Sequence, residues 1–95
     1  MKKHFVVSLV RGGLLGGAIV ADEDAITYRT GKVTVPSEYR NLEMKYEDIS
    51  EVALGWLLVL PTVMVKMRNG NEYKFAMFFN RKGFVEILRE KGVNV

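Results

Sequence analysis

From Thr62 onward the chain alternates hydrophobic and polar positions with period two, then switches to the period of a helix. Val63, Val65 and Met67 alternate with Met64, Lys66 and Arg68. Beyond Asn69-Gly70, Tyr73, Phe75, Met77 and Phe79 alternate with Glu72, Lys74 and Ala76, the pattern of two half-buried strands. Asn80 offers an N-cap, and Phe84, Ile87, Leu88 and Lys91 share one helical stripe before Gly92 stops it. The pattern predicts a hairpin followed by an amphipathic helix. Upstream, residues 5–10 read as a first strand. Gly12-Gly13 and Gly16-Gly17 allow a bend, a bulge or a close strand contact. Residues 18–21 and 25–30 read as paired strands around the turn Asp22-Glu23-Asp24. Val33 and Val35 alternate, but Pro36 lacks a ladder donor, so any strand there is short or peripheral. Leu42, Met44 and Tyr46 alternate with Glu43, Lys45 and Glu47, and a further strand runs from Ile49 towards Trp56.

The Asn69-Gly70 turn fixes a register. A two-residue loop would set Val65 opposite Lys74, a core residue against a charge on one face. Side chains alternate with period two, so aligning the apolar faces takes an odd loop length. The three-residue loop 68–70, with Gly70 left-handed, sets Val65 opposite Tyr73, Val63 opposite Phe75 and Lys66 opposite Glu72. Each such cross-strand pair is worth about 0.2–1 kcal/mol. A loop of residues 69–71 is the alternative.

These residues carry a resemblance. AIVADEDAITYR (18–29) resembles the opening hairpin of GRAM and bacterial pleckstrin-homology-like domains, and the segment 42–52, with YEDISEV (46–52), their mid-domain signature. LP (60–61), MVK (64–66), NGNEYKF (69–75) and NRKGF (80–84) are similar to their final hairpin and helix entry. The resemblance covers the chain from about Leu14 onward. It implies a mostly β fold with one C-terminal α-helix. That fold is a pleckstrin-homology-like barrel of two near-orthogonal antiparallel sheets, about seven strands, capped by the helix. The strand count is thinnest at residues 32–35.

Ninety-five residues without a linker or repeat read as a single domain, 1–95, which by area scaling buries somewhat over about 60% of its unfolded surface. The net charge is +3, yet the fourteen cations are scattered and only Lys2-Lys3 and Arg81-Lys82 adjoin. A nucleic-acid footprint needs clustering on one face, so no nucleic-acid partner is expected. With no cysteine there is no disulfide framework or thiolate site, which fits a reducing cytoplasm. Arg11 and four glycines interrupt the N-terminal apolar run, which therefore reads as folded sequence rather than a signal peptide.

Candidate chemistry is sparse. Gly12 and Gly17 have phosphate-loop spacing, but Ala18-Ile19 stand where Lys and Ser/Thr must follow. His4 is the only histidine and has no nucleophile to serve. Asp22-Glu23-Asp24 falls short of the ligand count Ca²⁺ requires. Glu47, Asp48 and Glu51 supply carboxylates without a visible cleft. No catalytic residue, metal site, cofactor or small-molecule substrate is expected, and the chain does not read as an enzyme.

The segment 54–61 carries no charge. A half-exposed strand buries only every second side chain, so either Trp56, Leu58 and Leu60 or Leu57 and Val59 should face outward. Burying three such side chains contributes on the order of 5–9 kcal/mol before association costs. Trp56, Leu57, Leu58, Val59 and Leu60 are therefore the candidate interface of a binding or scaffolding module for a protein partner or a second copy. The alternative is a peripheral membrane module for anionic lipid headgroups. Arg29 and Lys32 are its weak candidates, set against three negative charges at the 22–24 turn.

Overall fold

The computed structural model describes residues 2–33 and 35–95. Alternation sends Phe5, Val7 and Leu9 of strand β1 (Lys3–Val10) to one face, where each is at most 4% exposed. The same face continues through β2 (Leu14–Ala21), β3 (Ala25–Arg29) and β4 (Asn41–Lys45) with Ile19, Ile26, Tyr28 and Met44. It then continues through β5 (Ile49–Leu57), β6 (Leu60–Met67) and β7 (Glu72–Met77) with Val52, Val63, Val65, Phe75 and Met77. All neighbours are antiparallel, in the order β4-β3-β2-β1-β7-β6-β5. The chain thus makes two meanders, β1 to β4 and β5 to β7, and the β1–β7 pair joins them into one curled half-barrel sheet. Helix α1 (Arg81–Glu90) buries Phe84, Val85, Ile87 and Leu88 against it. Phe84 meets Phe5 edge to face, ring centroids 5.2 Å apart.

The β6–β7 register is the one the alternation predicts: Val65 opposite Tyr73, Val63 opposite Phe75, Lys66 opposite Glu72. Met67 N–H bonds Asn71 O at 2.8 Å and Gly70 sits at φ +96, so the loop is 68–70. Lys66 turns instead to Glu51 on the other neighbouring strand, at 3.6 Å.

Three expectations need correction or narrowing. Of the roles open to Gly16-Gly17, bend and bulge are ruled out and the close strand contact is met at Gly17; both residues lie inside β2, which pairs along its whole length with β1. Gly17 is there because a Cβ would stand 2.5 Å from Arg29 O and 2.8 Å from the Tyr28 ring. Val33 and Val35 form no strand, while Thr34 of the predicted 32–35 stretch lies outside the described residues. Val35 is buried and Val33 exposed, and Arg40 holds their carbonyls at 2.8 and 2.7 Å. A 3₁₀ turn (Ser37–Tyr39) follows Pro36. Seven strands arise without this segment. Finally, β4 ends at Lys45 and β7 at Met77; Tyr46 opens a second 3₁₀ turn (Tyr46–Asp48), and Phe79 is 70% exposed.

Candidate functional site

Leu57 pairs with Leu60, so Leu58-Val59 is a two-residue turn between β5 and β6. Such turns normally call for Gly or Asn, whose backbones tolerate positive φ. Here Leu58 takes φ +56, a conformation costing a branched side chain roughly 1–2 kcal/mol. The turn exposes Leu58 at 93% and Val59 at 85%, beside Trp56 at 64%. Neither predicted alternation set is right: Leu57 and Leu60 are half-buried, and Leu58 and Val59 are exposed together. The turn changes which way successive side chains point, and its unconventional residues hid it from the sequence. Phe79 extends the exposed apolar end, and Val6 and Phe78 are also exposed.

Arg81 fixes this end to the helix. Its Nη1 donates to Gly55 O at 2.8 Å and Thr62 O at 3.1 Å, and its guanidinium lies 5.1 Å above the Trp56 ring. Asn80, left-handed at φ +58, caps α1 by accepting from Gly83 N–H at 3.2 Å. Between β5 and α1 runs a groove of about 270 Å³ lined by Leu54, Arg81, Lys82, Val85, Glu86 and Arg89. The sequence showed the Arg81-Lys82 pair but not that Arg81 spans two strands.

The other sequence candidates separate into different environments. Arg29 lines an open cleft of about 520 Å³ with Thr30, Gly31, Arg40 and Asn41. Lys32 does not line it; its Nζ lies over Gly16. The 22–24 turn is tied down. Asp22 Oδ1 accepts N–H bonds from Asp24 and Ala25, and these hold its carboxyl below the usual range. Glu23 binds Lys91 Nζ at 3.1 Å, which lowers its pKa likewise. Tyr46 donates to Asp22 O at 2.8 Å. Burial, then the charges of Asp22, Glu23 and Asp24, push its phenol up to about 12. Burial also raises the Tyr28 phenol, whose hydroxyl donates to Leu15 O at 2.6 Å. Glu47, with Glu23, Asp24, Glu43 and Arg68, lines a mixed-charge cleft next to Tyr46 that Asp48 and Glu51 do not join. His4 is exposed on β1. Among the described residues no group of three His, Cys, Asp or Glu is placed to hold a metal ion, and no helix is long and apolar enough to cross a membrane.

Neither a protein-family model nor a curated protein matches the sequence. Among solved structures the chain is similar to the C-terminal domain of an unknown protein from Leishmania infantum, with a TM-score of 0.75 at 10% identity over 94% of this chain and 81% of that one. That likeness is one of fold: a mostly β domain of seven antiparallel strands closed by a C-terminal helix.

Proposed function

We propose that this chain is a non-enzymatic binding module of pleckstrin-homology-like, GRAM-like architecture. It acts in the cytoplasm through its apolar hairpin end, on a protein partner or a second copy. Two meanders joined through β1 and β7, with a terminal helix packed across them, support the architecture. The observation that carries the function is the β5–β6 turn, where a strained Leu58 and its neighbour Val59 stand almost wholly in solvent beside Trp56. A fold gains nothing from that arrangement. Strain of this kind is kept where the exposed side chains are used.

The test is mass measurement across a concentration series, with affinity capture in parallel, for the unaltered chain and for Leu58→Asp and Trp56→Asp. Assembly or capture that disappears in both variants, with unchanged thermal unfolding, supports the reading. A chain that stays monomeric and captures nothing through these side chains refutes it. Sedimentation with anionic vesicles, sensitive to Arg29→Ala or Lys32→Ala, would install the lipid-headgroup reading in its place.

A further inference from the structure

An antiparallel sheet with one face in water alternates apolar and polar residues along each strand. Strands β3 and β4 do so: on the face away from the core, Arg29, Asn41, Glu43 and Lys45 are exposed. The rest of the sheet does not. In β1 the positions between Phe5, Val7 and Leu9 are Val6, Ser8 and Val10, and pairing carries each of them across the sheet as a row. Val6 lies level with Ala18 of β2, and Leu60 with Leu57 of β5; Phe78 stands between them, just past β7. Ser8 begins a row of small residues: Gly16 on one side, Ala76, Thr62 and Gly55 on the other. Val10 pairs with Leu14, and the same row continues through Lys74, Met64 and Ala53. In these three rows Lys74 is the one charged residue. Val6, Leu14 and Phe78 are 55%, 50% and 39% exposed, whereas Ser8, Ala76 and Thr62 lie beneath their neighbours at 5% or less. The outer face of β2, β1, β7, β6 and β5 is thus a continuous apolar surface.

We propose that this outer face is where two copies of the chain stack, sheet on sheet, as a two-fold dimer. The proposal extends the apolar-end reading to a second surface and names the partner, and the two can fail separately. Strands that lack charge on both faces are those of a sheet covered on both sides. Monomers seldom leave more than a few hundred Å² of contiguous apolar surface in water. Three rows across five strands span roughly 24 by 20 Å, so two copies bury about 1,000 Å², the size at which specific interfaces begin. Charge chooses the occupant and the axis. A foreign acidic partner would find one central cation, whereas the apolar rows of a second copy match these rows. An axis along β7 would set Lys74 against Lys74. An axis across the strands, along the row of Ser8, Ala76 and Thr62, sets Val6 over Val10, Leu60 over Met64 and Lys74 over Phe78 of the other copy. The two Lys74 then stand roughly 14 Å apart along the strands, beyond the Debye length of about 8 Å at physiological salt. The strands of the two sheets run nearly antiparallel, the aligned mode of sheet packing. Lys32, whose Nζ lies over Gly16, is exposed on a loop and turns out to the rim.

The test is mass measurement of the intact chain across concentration and salt. The expected result is a monomer–dimer equilibrium that added salt tightens, because screening removes repulsion among Lys32 and Lys74 of the two copies. Val6→Glu with Leu14→Glu should weaken it at least about tenfold, with unchanged thermal unfolding, since carboxylates would enter an apolar contact. Lys74→Met should tighten it. The chain has no cysteine, so single thiols report on the face even where the Glu pair fails to fold. Maleimide labelling of Leu14→Cys should slow as concentration rises, while that of Arg29→Cys, on the polar part of the sheet, should not. A chain that stays monomeric overturns the proposal, as do thiols protected equally or a dimer that salt or Lys74→Met weakens. Capture of another protein or of anionic vesicles on this face, without a dimer, overturns it too. A dimer lost in Leu58→Asp and Trp56→Asp yet untouched by the Glu pair refutes the sheet face and leaves the apolar-end reading. One lost in the Glu pair yet intact in those two variants keeps the sheet face and removes the apolar end.

Discussion

The two hairpins that share β6 are built on opposite terms. The β6–β7 loop has polar residues and a glycine where a left-handed backbone is needed, with Gly70 at φ +96 and Asn69 Oδ1 accepting from Asn71 N–H at 2.9 Å. The β5–β6 turn puts Leu58 in a left-handed backbone and points two apolar side chains at water. Both hairpins are antiparallel and regularly paired next to their turns, so sheet formation does not explain the difference. The first follows the chemistry that stabilises a turn. The second carries strain that Gly would relieve and exposes apolar side chains, and neither stabilises the hairpin. Where local rules are broken and nothing in the fold benefits, a site is the economical reading.

The largest expected effect tests the frame on which both hairpins depend. Phe84 is fully buried against Phe5, and Phe84→Ala should cost about 3–5 kcal/mol in denaturant unfolding. A loss under about 1 kcal/mol would mean that α1 is not the structural anchor of this end.

The comparison itself is sharpest in paired substitutions of opposite sign. Gly70→Ala should destabilise by about 1–2 kcal/mol, because it adds a side chain at positive φ. Leu58→Gly should leave stability unchanged or raise it by up to about 1 kcal/mol, since strain relief is partly offset by chain entropy. Equal losses at both positions would erase the distinction. Leu58→Asp is expected to move stability by no more than about 0.5 kcal/mol, as exposed substitutions do, while abolishing association.

An effect of pH rather than of packing concerns the far end of α1. The Tyr46 phenol is raised to about 12 in the folded chain, against about 10 when unfolded. Between those values the unfolded chain has lost a proton that the folded one keeps, so stability should fall as pH rises from 10 to 12. Tyr46→Phe should flatten that part of the profile; an unchanged slope would assign alkaline loss elsewhere.

What was legible in the sequence was what local chemistry determines. The 68–70 loop and its register followed from side-chain parity and one glycine, and the helix followed from its spacing and caps. At Gly16-Gly17 the sequence left bend, bulge and close strand contact all open, because glycine alone does not announce a strand. Their pairing is imposed by β1 on one side, and Gly17 is demanded by Tyr28 and Arg29 on the other. The loop around Val33 and Val35 depends on Arg40 reaching two carbonyls, a contact with no periodic signature. The apolar run was legible as a candidate surface from its lack of charge. Its geometry was not, because a Leu-Val turn gives no turn signal and the Arg81 clamp joins residues 26 and 19 positions apart.

That clamp leaves the chain's single tryptophan half in water beneath a guanidinium. Trp56 is consequently an intrinsic optical reporter whose emission comes from the apolar end and nowhere else. Anything that seats on β5, or that draws Arg81 from Gly55 and Thr62, changes the polarity and charge around the indole and must shift its fluorescence. Occupancy of this surface can therefore be followed in the unlabelled protein, before the identity of any partner is known.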